Sequence, residues 1–144
     1  MADTAPGETP RAPRVLVVDD HPVNREVARI MLQAFGCEVI ETCDGHEAVQ
    51  AAAARPFDLV LMDVRMPRMD GLEATRRIRA LDDARDTVPV VAMTADAMPE
   101  DVTRCLAAGM NAHLAKPVSQ AALFAIVTRA LSGDLSAARA VEAA

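Results

Sequence analysis

Phe57-Asp58-Leu59-Val60-Leu61-Met62-Asp63-Val64-Arg65-Met66-Pro67 decides how the rest of the chain is read. The apolar run from Leu59 to Met62 leads straight into an acid, and Pro67 breaks the chain four residues later. Valine and leucine without polar alternation mark a strand buried on both faces, as in a parallel sheet. A carboxylate at the C-terminal end of such a strand stands where open α/β sheets place their ligands. Taken alone, Asp63 is equally a strand terminator and turn former. The other strand ends have to decide.

They repeat the pattern. Val15 to Val18 is a second fully apolar run, and it ends at Asp19-Asp20. Residues 23–35 have helical spacing at Val27, Ile30, Met31 and Ala34, with Gly36 as the stop. Residues 38–42 form a plausible strand, and Asp44-Gly45 turns the chain into an Ala-rich helix over about 47–54. Beyond the opening stretch, 71–81 predicts a helix with Leu72, Thr75, Ile78 and Leu81 at spacings of three. Residues 82–86 are a polar loop, 88–93 a strand ending at Thr94, and Pro99 opens a helix that stops before Gly109. A brief strand over 112–115 runs into Lys116-Pro117. Ser119 caps a last helix, whose buried stripe is Leu123, Ile126, Val127 and Ala130. Strand and helix alternate five times, which specifies an α/β fold, (βα)5, with a doubly wound five-stranded parallel sheet. Residues 1–13 are expected to be a flexible leader, 14–132 one domain, and 133–144 a tail or frayed helical extension.

Composition narrows the function. A chain of 144 residues, just over half of them hydrophobic, can bury a real core. A net charge of −6 argues against nonspecific binding to nucleic acid or to an anionic membrane. No apolar run approaches the length of a membrane span, and the N-terminus has no secretory pattern. Cys37, Cys43 and Cys105 form no metal-type pair and suit a reduced, cytoplasmic setting as inert thiols. Of fifteen basic residues, Lys116 alone is lysine. A position that keeps lysine against such a bias fits a need for a compact point charge rather than a planar fork.

In a doubly wound sheet the strand ends share one edge, so Asp19, Asp20, Asp63, Thr94 and Lys116 converge on a single crevice. Carboxylates gathered there repel one another unless a cation offsets them. Oxygen donors without His or Cys clusters favour a hard ion, Mg²⁺ above all. A lysine and a hydroxyl beside them suit the equatorial oxygens of a phosphoryl group. No Gly-rich phosphate loop is present, so that group is not expected to arrive held as a nucleotide. The remaining nucleophile is a carboxylate, which points to aspartyl phosphate chemistry.

The sequence resembles response-regulator receiver domains over about residues 14–132. The resemblance is carried by Val17-Val18-Asp19-Asp20, by Leu61 to Pro67 with Asp70-Gly71, by Met93-Thr94-Ala95 and by Lys116-Pro117. Each motif alone is weak, and four in order are specific. Asp20-His21-Pro22-Val23-Asn24 is also similar to the variant found in receivers of hybrid kinases. The resemblance implies a flavodoxin-like fold and a phosphoacceptor, Asp63, that takes its phosphoryl group from a sensor histidine kinase or a histidine phosphotransfer protein. It implies Mg²⁺ held by Asp20, Asp63 and the Arg65 carbonyl, with Asp19 acting through water. Lys116 would pair with Asp63 and then with the phosphoryl oxygens, Thr94 would sense them, and the Lys116-Pro117 bond would be cis. Output would pass through protein contacts on the face of the fourth helix, fifth strand and fifth helix, with partner specificity near residues 24–31 on the first helix.

Three positions depart from the common pattern. His113 stands where such domains usually carry Tyr or Phe at the switch position, which would make switching depend on pH. Arg65 and Asp96 occupy places that tune phosphoryl lifetime, and a salt bridge between them is expected to slow attacking water. The alternatives are a dehalogenase-like phosphatase with Asp63 as nucleophile and a binding module that is never phosphorylated. The first lacks its usual second acid at Arg65, and the second leaves an intact set of site residues unexplained. On this reading the domain is not an enzyme beyond its own phosphoryl transfer and loss.

Overall fold

The computed structural model describes residues 12–66, 68–81, 87–95 and 98–133, and the backbone of 141–142. The elements run β1 (Arg14–Val18), α1 (Pro22–Ala34), β2 (Glu38–Thr42), α2 (Gly45–Ala54), β3 (Leu59–Asp63), α3 (Gly71–Arg79), β4 (Val90–Thr94), α4 (Pro99–Ala107), β5 (Ala112–Ala115), α5 (Gln120–Leu131) and β6 (Val141–Glu142). The strand order is β2-β1-β3-β4-β5-β6, and every pairing is parallel. The first five strands and five helices are the alternation that the sequence specifies.

Period-two alternation explains why the strands are apolar throughout. Leu16, Val18, Val60, Met62, Val90 and Ala92 face one layer, built from α2, α3 and α4 with Ala48, Leu72, Ile78 and Cys105. Val15, Val17, Leu59, Leu61, Val91 and Met93 face the other, where Leu32 of α1 meets Leu123, Ile126 and Val127 of α5. With a helical layer on each face, β3 and β4 are buried along their whole length. Sequence-local chemistry sets the helix starts. The side chains of Asp44, Asp70 and Ser119 accept hydrogen bonds from the Glu47, Glu73 and Ala122 amides at 2.8, 2.9 and 3.1 Å. The cap at Asp44 starts α2 at Gly45, two residues earlier than the pattern placed it. Pro22 and Pro99 occupy first turns, where a missing N–H costs nothing.

Two features go beyond the sequence pattern. The helical spacing at Val27, Ile30, Met31 and Ala34 marks α1 but not its buried face. The helix instead buries Ala28 and Leu32, half-buries Met31, and leaves Val23, Val27 and Ile30 about half exposed. Both faces of α1 carry apolar residues, and spacing alone does not rank them. The stretch expected as a tail or helical extension contains β6, whose two residues pair with the outer edge of β5, Ala112 to Val141 and His113 to Glu142. The open edge of a short strand offers unpaired amides and carbonyls for such an addition. The 1–13 leader, apart from residues 12–13, and the polar loop 82–86 lie outside the described residues, as does Pro67.

The far end of the sheet is locked by a network that the sequence did not announce. Arg79, at the end of α3, donates to the carbonyls of Gly109 and Val88 at 2.9 and 2.6 Å and to Asn111 Oδ1 at 2.8 Å. The buried Asn111 Oδ1 also accepts the Val90 amide at 2.8 Å. This ties α3, the start of β4 and the turn into β5 together, which leaves the opposite edge free for chemistry.

Candidate functional site

Parallel register brings the carboxyl ends level. Val18 pairs with Met62, Asp63 with Met93, and Thr94 with Ala115, so the residues at or just beyond these ends meet at one edge. Asp19, Asp20, Asp63, Arg65, Thr94 and Lys116 line a single crevice of about 270 Å³, together with His21, Asn24 and Ala95. Six candidates scattered from residue 19 to 116 are thus brought together. His21 and Asn24 were not expected in the crevice; their place directly after the acids, at the entry to α1, is the signal that carried them there.

Asp19 and Asp63 are buried, whereas Asp20 is exposed at the mouth. Lys116 Nζ lies 3.1 Å from Asp19 Oδ2 and 3.1 Å from Asp63 Oδ1. Burial pushes the Asp63 carboxyl up to about 6, the charge of Asp19 adds to that rise, and Lys116 opposes it. Burial also disfavours the Lys116 ammonium, but the carboxylates of Asp63 and Asp19 outweigh it and hold the pKa above the ordinary lysine value. The lone lysine therefore stays charged. Its amide donates to the Thr94 carbonyl at 2.8 Å, which ties the ends of β4 and β5, and the Lys116-Pro117 peptide is cis.

Carboxylate oxygens of Asp19, Asp20 and Asp63 lie within 4.8 Å of one another. Three acids share one ammonium, and the Asp19 charge adds to the rise that burial gives the Asp63 pKa. All-oxygen donors of this geometry fit a hard divalent cation. Arg65 borders the same crevice.

Not every candidate meets there. His113 is half-buried on β5 and lines a neighbouring cavity of about 430 Å³, together with Thr94, Arg65, Cys105, Asp101 and Arg104. Thr94 and Arg65 border both spaces. Asp96 lies outside the described residues. The three thiols are free, and Cys37 and Cys105 are pushed up by burial, away from reactivity.

Fold and site define a chain of the response regulator receiver domain family, and the chain belongs to it: the family profile matches residues 15–128. It is 44% identical over 130 residues to the sensor protein GacS of Pseudomonas syringae pv. syringae, covering 89% of this chain but 14% of that protein. The receiver domain of the sensor histidine kinase PA1611 from Pseudomonas aeruginosa PAO1 is 42% identical, with a TM-score of 0.79 over 85% of this chain and 99% of that one. Its structure has a magnesium ion coordinated in the active site cleft. The receiver domain of Ssk1 from Saccharomyces cerevisiae, solved with the histidine phosphotransfer protein Ypd1, is 27% identical, with a TM-score of 0.77 over 86% of this chain and 92% of that one. The chain is a phosphorelay receiver domain, similar to those of hybrid sensor kinases.

Proposed function

We propose that Asp63 is the phosphoacceptor of this receiver and that it takes its phosphoryl group from a phosphohistidine. The observation that carries the reading is the ion pair of a buried Asp63 with Lys116, opposite Asp19 and Asp20. An Asp63 carboxylate oxygen attacks the phosphorus, the new O–P bond forms as the P–N bond breaks, and the electron pair returns to the imidazole, which is protonated from solvent. Asp20, Asp63 and the Arg65 carbonyl would hold Mg²⁺, with Asp19 acting through water, and the ion would neutralise charge developing on the phosphoryl oxygens. Lys116 shifts from Asp63 to those oxygens, and the Thr94 hydroxyl reports their arrival. The magnesium ion in the PA1611 cleft supports this assignment.

The donor is a histidine kinase or phosphotransfer protein, and the exposed Val23, Val27 and Ile30 of α1 offer it an apolar face. The Ypd1–Ssk1 complex supports that class of partner. Phosphorylation shifts an equilibrium read on the α4-β5-α5 face, with His113 as the switch residue. Arg65 and Asp96 set the phosphoryl lifetime. Among the described residues no helix is long and apolar enough to cross a membrane, and we place the domain in the cytoplasm.

The test is incubation with acetyl phosphate and Mg²⁺, followed by intact mass. A gain of one phosphoryl group that is labile in base and absent from Asp63→Asn supports the reading. An unmodified wild type, or steady turnover of a free phosphate ester, overturns it.

A further inference from the structure

Arg25, one turn into α1, reaches back to the loop that carries the acids. Its Nη1 donates to the backbone carbonyl of Asp19 at 2.7 Å. Its Nε lies 3.5 Å from Glu41 Oε1 on β2, and Glu41 Oε2 in turn meets Arg29 Nε at 3.1 Å. The guanidinium is held between an edge strand and the acid loop, with its side chain one-fifth exposed.

Asp19 is fixed at every polar group. Its amide donates to the Thr42 carbonyl at 3.2 Å, its Oδ1 accepts the His21 amide at 2.9 Å, and its Oδ2 faces Lys116. The carbonyl is the group left to Arg25. That carbonyl belongs to the peptide from which Asp20 departs. A peptide unit is planar, so fixing the direction of its C=O fixes the direction of the Asp20 N–Cα bond. Asp20 is the exposed member of the acid cluster and the one with the most freedom to point elsewhere.

We propose that Arg25 is a positioning residue for the acid crevice. Through the Asp19 carbonyl it sets the Asp19–Asp20 peptide so that the Asp20 carboxylate is aimed at Asp63, and it thereby sets the affinity of the crevice for a divalent cation. Glu41 keeps the guanidinium turned toward the loop backbone and offsets its charge, so that Arg25 does not pair with Asp20 in the cation's place. The inference rests on the phosphoacceptor reading, which supplies the cation.

Calorimetric titration of the full chain with Mg²⁺ tests it, comparing wild type with Arg25→Gln, Arg25→Lys and Arg29→Gln. Removing a group that orients a metal ligand weakens affinity by about tenfold or more. Arg25→Gln is expected to lose that factor, and Arg25→Lys, whose ammonium still reaches one carbonyl, to recover most of it. Arg29→Gln breaks the other bond to Glu41 without touching the loop, and is expected to stay within about twofold. In EDTA, hydrogen exchange at the His21 amide should quicken in Arg25→Gln and not in Arg29→Gln. Unchanged Mg²⁺ affinity in Arg25→Gln overturns the proposal, and so does an equal loss in Arg29→Gln, which would make both arginines mere tethers of α1. A wild type that neither binds Mg²⁺ nor takes phosphate from acetyl phosphate overturns the phosphoacceptor reading and this inference with it. A phosphorylatable wild type with an indifferent Arg25→Gln overturns this inference alone.

Discussion

The carbonyl of Asp63 occupies the space that a side chain on Gly71 would need. A Cβ built on Gly71 collides with that oxygen and lies 2.9 Å from Met62 Cγ, while the Gly71 amide donates to the Val64 carbonyl at 2.9 Å. The first residue of α3 is thus seated against the strand end that carries the acid. Gly71→Ala is expected to lower stability by about 1–3 kcal/mol, toward the upper end because the obstacle is backbone. It should also slow phosphorylation by acetyl phosphate, since relief of the clash displaces Asp63. Urea unfolding and the intact-mass time course check the two effects.

Removing the ammonium from the crevice leaves Asp19 and Asp63 facing each other. In EDTA at pH 7.5, Lys116→Met is expected to cost about 3–5 kcal/mol, because it strands buried charge. Adding Asp63→Asn to Lys116→Met should restore most of that loss. Urea midpoints of the two single variants and the double variant test the coupling, and simple additivity would contradict it.

Stability without metal should fall as the pH rises through the range of Asp63. Its carboxyl sits at about 6 in the fold against an ordinary 3.8. A group raised on folding is easier to ionise when unfolded, so its contribution is full below about 4, shrinks as the pH climbs, and is lost above about 6. The difference in unfolding free energy between wild type and Asp63→Asn, measured in EDTA from pH 4 to 8, should change by no more than about 3 kcal/mol in that direction. Mg²⁺ should reverse the trend for wild type alone.

Arg68 holds a left-handed backbone, with φ at 69°. That conformation costs a non-glycine residue about 1–2 kcal/mol. Arg68→Gly removes the strain, while the added freedom of the unfolded chain offsets about 0.5–1 kcal/mol. A net gain of up to about 1.5 kcal/mol in urea unfolding is expected.

Ile30 is exposed on the outer face of α1. Ile30→Glu should alter stability by less than about 0.5 kcal/mol. Transfer from a phosphorylated histidine partner should slow by about tenfold or more, with the reaction from acetyl phosphate unchanged. Equal rates from the protein donor would remove α1 from the docking face.

The strand ends were legible because a parallel sheet buried on both faces leaves an unmistakable signature: Val15 to Val18 and Leu59 to Met62 are apolar without a break, and each run ends in acid. Lys116 was legible because it is the lone lysine. The buried face of α1 was not legible, because Val27 and Ile30 have the same period as Ala28 and Leu32, and hydrophobicity does not say which face a core will cover. Arg25 and Arg79 were invisible for another reason. A guanidinium that bonds to backbone carbonyls recognises a shape, and the shape exists only once the chain has folded.

Asp19 and Lys116 stand near opposite ends of the described sequence, yet they share one ion pair. Joining them requires β1, β3, β4 and β5 to be laid side by side in register, so no fragment or half-folded copy contains the charged crevice. On the proposed reading, competence to accept a phosphoryl group would require the finished sheet.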